Sequence, residues 1–225
     1  MEKTKQQLPG LSHWAMFAVS LVIMAYGVAF SVKSALGTSP ISSLPYAISL
    51  FTPFTIGNVT ICMHLVLIAL QILILRRRYQ LIQLVQLPVA VAFGFLTDLA
   101  MWTLRGVQYA NYPGQWLLCV IGILLVAFGV SGEVESKATV LAGEGFILAV
   151  CTANPKIPFS RMKVTFDVSL VVLSIVVSLI FTGRIGGVRE GTAAAMIGVG
   201  LLTSMFLKPW HALAVRVNGA HLPPR

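Results

Sequence analysis

The sequence predicts an all-α polytopic membrane protein with six transmembrane helices and two short re-entrant segments, arranged as a 3+3 inverted repeat. Three observations predict it. The first is composition: 57% of the 225 residues are hydrophobic and only 10% are charged, far from a soluble domain. The second is length. A span needs about 20 mostly apolar residues, and six stretches approach that. The third is self-similarity between the two halves of the chain. Ala25-Tyr26-Gly27-Val28 returns as Ala127-Phe128-Gly129-Val130, 102 residues later. Phe54, Val59 and Thr60 return as Phe159, Val164 and Thr165, at 105. Gly94, Leu96 and Thr97 return as Gly200, Leu202 and Thr203, at 106. An odd number of spans per copy turns the second copy over in the bilayer, a common plan for a solute pathway.

The elements follow in order. Residues 1–10 are too short and polar to hold a cleavable signal, so they read as a cytoplasmic tail. The first repeat covers 11–110, with spans at 11–32, 55–75 and 79–104. The first span doubles as an uncleaved targeting signal. The second repeat covers 111–207, with spans at 115–131, 164–182 and 192–207. A second cytoplasmic tail occupies 208–225. Trp14, Trp102, Trp116 and Trp210 all fall near span ends, as an aromatic belt requires.

Net charge is +9, but the basic residues gather at span ends rather than in a nucleic-acid patch. With the N-terminus in the cytoplasm, twelve of them fall inside and four outside: Lys33, Arg105, Arg184 and Arg189. Both termini are therefore expected in the cytoplasm.

Two apolar segments are too short to cross. Residues 34–51 are interrupted by Gly37, Pro40 and Pro45, and residues 139–152 by Gly143 and Gly145. Full crossings here would move Arg76, Arg77 and Arg78 outside, against the charge bias. Paired short, Gly/Pro-interrupted segments at matching positions point to a transporter binding site. An interfacial hairpin that closes one side of the bundle is the plainer alternative. Thr38 and Ser39 precede Pro40, the pattern of an N-cap and a proline at the first helical position. A half-helix starting there would aim its positive end at an anion.

Polar residues in apolar surroundings complete the candidate substrate-binding set: Thr38, Ser39, Glu144, Lys163, Asp167 and Arg189. Lys163 and Asp167 are four apart and share a helix face, either as a solute or proton site or as an interfacial ion pair. Their counterparts in the repeat read as Asn58 and Cys62. Glu144, between two glycines, is either a proton carrier or a solvated loop acid. Arg189 could meet a carboxylate bidentately or anchor the outer interface. Asp98 reads as an interface-level acid, and His64 as a hydrogen-bonded core residue.

Catalytic signatures are missing from the sequence: there is no His-Glu-x-x-His, nucleophile elbow or phosphate loop. Cys62, Cys119 and Cys151 are widely spaced thiols without metal-ligand spacing. The chain is expected to be no enzyme and to need no cofactor or metal. Expected partners are the lipid bilayer, a small solute, and a second copy or another membrane protein; nucleic acid is not expected.

The motifs now assembled resemble the YczE/YyaS/YitT group of bacterial membrane proteins, its YczE-like branch above all. The resemblance runs through Gly27, Ala35-Leu36-Gly37-Thr38-Ser39-Pro40, Leu44-Pro45-Tyr46 and Gly143-Glu144-Gly145. It continues through Lys163 with Phe166-Asp167-Val168, and Val188-Arg189-Glu190-Gly191-Thr192. It implies a multi-pass protein of a bacterial cytoplasmic (inner) membrane and brings no settled substrate. Two readings remain at this point: a secondary transporter or permease for a small, anionic solute, or an accessory or regulatory protein that binds a partner and moves nothing.

Overall fold

The computed structural model describes residues 10–218. The expected tails at 1–10 and 208–225 lie outside it, except residue 10 and residues 208–218. The chain forms eight α-helices among the described residues and no strand. They are α1 (Leu11–Lys33), α2 (Pro40–Ser49), α3 (Ile56–Leu75), α4 (Gln86–Thr103), α5 (Tyr112–Ser136), α6 (Ala142–Ala153), α7 (Phe159–Thr182) and α8 (Glu190–Asn218). Two 3₁₀ turns, Arg76–Arg78 and Leu81–Val85, join α3 to α4. All but α2 and α6 are long and apolar enough to cross a membrane.

Local chemistry sets the boundaries. Thr55 caps α3 by accepting the Asn58 N–H at 3.1 Å, and Asn111 caps α5 by accepting that of Gly114 at 2.9 Å. Proline occupies the first turn of α2 and of α5, where its missing N–H is harmless. Gly183 ends α7 in the left-handed conformation, φ 68°. Two spans run past their expected ends. The fourth reaches Ser136 rather than 131, carrying Glu133 and Glu135 inside the helix. The sixth continues through Lys208 and Pro209 to Asn218, into the expected tail. Charge lowers hydropathy without breaking a helix; only backbone chemistry does that. Gly143 and Gly145 likewise stand inside α6 rather than interrupting it.

At the centre α1 packs along α5, the most extensive contact in the molecule. Small residues let the backbones approach. A methyl group on Gly27 would lie 2.6 Å from the Val126 nitrogen and 3.0 Å from the Gly122 carbonyl. One on Gly129 would lie 2.8 Å from the Ser20 carbonyl. With lipid as apolar as the side chains, such packing is what holds two spans together. α4 lies against α1 and α3, and α8 against α5. The short helices cross over: α2 packs on α7 of the other half, and α6 on α3.

Polar contacts fix these pairs. Asp98 on α4 accepts from the Gly57 N–H at 2.8 Å and from the Thr55 hydroxyl at 2.5 Å. It therefore satisfies the first turn of α3. Glu135, 2% exposed, meets His211 of α8 at 2.7 Å, and the Trp210 indole donates to the Phe128 carbonyl at 2.9 Å. The Ser174 hydroxyl of α7 donates to the Ser43 carbonyl of α2 at 3.0 Å. The Gln71 amide of α3 donates to the Ala142 carbonyl of α6 at 3.1 Å.

Candidate functional site

The first turns of α2 and α6 touch. A side chain on Gly143 would collide with Ile41 Cδ1, and Phe166 lies just beyond. Leu44, Ala142, Ile147 and Phe166, with Ile41 and Met63 at the edge, form an apolar cluster around this contact.

A hollow opens toward each end of α1. One, of about 570 Å³, is lined by Val32, Lys33, Tyr46, Met101 and Tyr109. The other, of about 520 Å³, is lined by Trp14, Gln86, Glu133, Val134, Lys137, Gly145 and Leu148.

The expected site residues fall into two groups. At the N-terminal end of α7, Lys163 Nζ pairs with Asp167 Oδ1 at 3.2 Å. The aspartate side chain is 12% exposed and the lysine 36%. Glu144, half-buried in the first turn of α6, belongs with them, but through a residue the hydropathy reading passed over. That residue is Glu133, 1% exposed. Its Oε1 accepts the Leu141 N–H at 2.6 Å, which caps α6, while its Oε2 meets no donor. Glu144 stands in the first turn of the helix whose leading N–H Glu133 holds, and Lys163 is the neighbouring charge of opposite sign. Four ionisable groups from α5, α6 and α7 therefore stand together.

Thr38, Ser39 and Arg189 form the second group. Ser39 is the N-cap residue of α2, with Pro40 first in the helix, as the sequence predicts. Its hydroxyl turns to Ser42 at 3.2 Å rather than capping a backbone N–H. Thr38 is 1% exposed and its hydroxyl has no partner. Arg189 already has partners in the fold. It donates to the Ala35 carbonyl at 2.9 Å and pairs with Glu190 at 2.9 Å. Beside it, the Gly191 N–H donates to the Leu36 carbonyl at 2.8 Å. This tie fastens the start of α8 to the segment ahead of α2.

Among the described residues no three His, Cys, Asp or Glu side chains gather as metal ligands. His64 is buried, stacks on Phe93 at 6.0 Å between centroids, and has no partner at Nδ1.

Residues 11–208 match the family of unknown function DUF6198. The chain belongs to that family. It is similar to the uncharacterized protein YyaS of Bacillus subtilis (strain 168), at 24% identity over 193 residues, covering 85% of this chain and 90% of that one. The likeness to the YyaS group read from the motifs therefore holds over most of the length. No solved structure matches. With six apolar helices of spanning length, this DUF6198 member is a multi-pass integral membrane protein.

Glu133, Glu135, Gln71 and Gln86 carry buried polar chemistry that sequence reasoning missed. The available signal was two carboxylates, Glu133 and Glu135, a few residues after an apolar run with no proline to stop the helix between them.

Proposed function

We propose that this chain is a secondary transporter or permease for a small solute bearing an anionic group. In this reading α2 and α6 are re-entrant elements of a 3+3 inverted repeat. The observation that carries it is the contact of Ile41 with Gly143, 102 residues apart, between hollows at opposite ends of α1. A residue that touches its own repeat counterpart lies on the twofold axis.

Other contacts agree. Gly27 meets Gly122 while Gly129 meets Ser20; each member of one pair is 102 from a member of the other. Val32 and Tyr46 line one hollow; Val134 and Leu148, again 102 on, line the other. α2 packs on α7 as α6 packs on α3. Two matching vestibules separated by an apolar plug are what alternating access requires.

The head of α2 recognises the solute in this scheme. Its N-terminus carries partial positive charge, and the Thr38 hydroxyl beside it is buried and unpartnered. Lys33, in the hollow that Tyr46 of α2 also lines, favours the same sign.

Uptake of small organic and inorganic anions into proteoliposomes, with and without a pH gradient, tests the reading. Accumulation of one anion class supports it. An inert, folded chain that copurifies with another membrane protein would put the accessory role in its place.

A further inference from the structure

We propose that Glu133 and Glu144 form a carboxyl pair that binds one proton between them, the coupling-ion site of the transporter reading on which this inference rests. Glu133 projects from α5 and is almost wholly buried, whereas Glu144 sits half-buried on α6. Glu133 Oε1 holds the Leu141 N–H at the head of α6, and Glu144 stands in the first turn of that same helix, which brings the two carboxyls together. Two ionised carboxylates so placed offer each other only lone pairs and repel. Glu133 Oε1 is already satisfied by the Leu141 N–H, but Oε2 meets no donor. A buried oxygen in that state is costly unless something supplies a hydrogen. A proton shared by the pair turns one carboxylate into a donor to the other and reduces the local charge by one.

The surroundings give that proton a path and a consequence. Glu133 lines the hollow of about 520 Å³ at the N-terminal end of α1, which gives a proton its approach to the pair. The groups that face it are few. α7 contributes Lys163, itself bonded to Asp167; the turn after α5 contributes Lys137 at the hollow; α4 contributes the uncharged Gln86. Binding takes a proton from water in the hollow and releases nothing else. Release returns it to that water and leaves two carboxylates that compete with Asp167 for the Lys163 ammonium. Lys163 is therefore drawn toward the pair when the proton is absent and toward Asp167 when it is present. Proton occupancy on α5 and α6 thereby acts on α7, the helix on which α2 and the solute-binding end rest.

Infrared difference spectra of the purified protein at neutral pH test this without any solute. The wild type is expected to show a protonated-carboxyl C=O band that disappears in both Glu133→Gln and Glu144→Gln and persists in Glu135→Gln. Glutamine at 133 keeps an oxygen for the Leu141 N–H, and Glu144→Gln changes a half-exposed position; if only the latter folds, it decides alone. Survival of the band in Glu144→Gln assigns the proton to another group and overturns the pair, as does a wild type without the band. A wild type that shows the band but accumulates no solute would remove the transporter reading and leave the pair standing.

Discussion

Ala35 and Lys137 both hold the left-handed backbone that side chains avoid, with φ of 55° and 53°. Each follows a serine that ends its helix, and the serines do the same work. The Ser34 hydroxyl donates to the Ser31 carbonyl and accepts the Leu36 N–H; that of Ser136 donates to the Glu133 carbonyl and accepts the Ala138 N–H. The chain makes the same sharp turn out of α1 and out of α5, and so delivers α2 and α6 alike.

A left-handed non-glycine residue costs roughly 1–2 kcal/mol. Lys137→Gly should therefore stabilise the protein by about 1 kcal/mol, read as a higher melting temperature in detergent. The packing at 137 needs no side chain for the turn itself. An unchanged or lower melting temperature would show that the lysine makes a compensating contact at the hollow.

The crossing of α1 and α5 gives the second prediction. Gly27→Val and Gly129→Val each force a side chain against backbone atoms that cannot move without displacing a helix. Overpacking of this kind costs about 1–3 kcal/mol. Both variants should lose membrane abundance and unfold at lower denaturant. Gly200, with nothing within 4 Å of the added carbon, is the control. Gly200→Ala should be neutral or stabilising by about 0.5–1 kcal/mol, the helix preference of alanine over glycine.

Hydropathy made the six spans and two short segments legible because apolar length is a property of local sequence. It stopped short at 131, since a window cannot see that Glu133 and Glu135 are bonded inside the structure. The Lys163–Asp167 pair was legible because four residues bring side chains to one helix face. The register of α3 against α7 in the proposed repeat was not. Matching Phe54 with Phe159 sets Asp167 opposite Cys62, which is exposed. The buried faces instead align at 103: His64 with Asp167, Leu67 with Leu170, Gln71 with Ser174 and Leu75 with Ser178. A slip of two residues turns a helix by about 200°, so similar apolar residues can match in letters while facing opposite ways. In the repeat proposed above, burial thus sets Asp167 opposite His64 rather than Cys62.

Orientation is the third prediction. With six spans alternating across the membrane, Arg76–Arg78, Lys137, Lys156, Arg161 and Lys163 fall on one side, after α3, α5 and α6 and at the start of α7. Positive residues accumulate on the cytoplasmic side. Reporter fusions after Arg78 and at the C-terminus should report cytoplasm, and one after Ala110 the opposite side. A periplasmic signal after Arg78 would invert the assignment of both hollows.

Asp167 gives the last prediction, because its loss separates a structural role from a transport role. Asp167→Asn removes the negative partner of Lys163 but keeps the shape. The ammonium then lies between the Glu133–Glu144 pair and an uncharged amide. With Lys163 36% exposed, solvent softens the penalty, and a loss of about 1–2 kcal/mol is expected rather than the larger cost of a fully buried orphan. Abundance in the membrane should fall modestly. Uptake per molecule should fall further, since Lys163 loses the partner it takes up when the carboxyl pair is protonated. Lys163→Met should also lower uptake, and in the double variant the two losses should not add, because both act through one contact. Uptake that tracks abundance in every variant would leave the ion pair a purely structural fastening between the start of α7 and its neighbours. Uptake that falls while abundance holds would put Lys163 and Asp167 on the transport path.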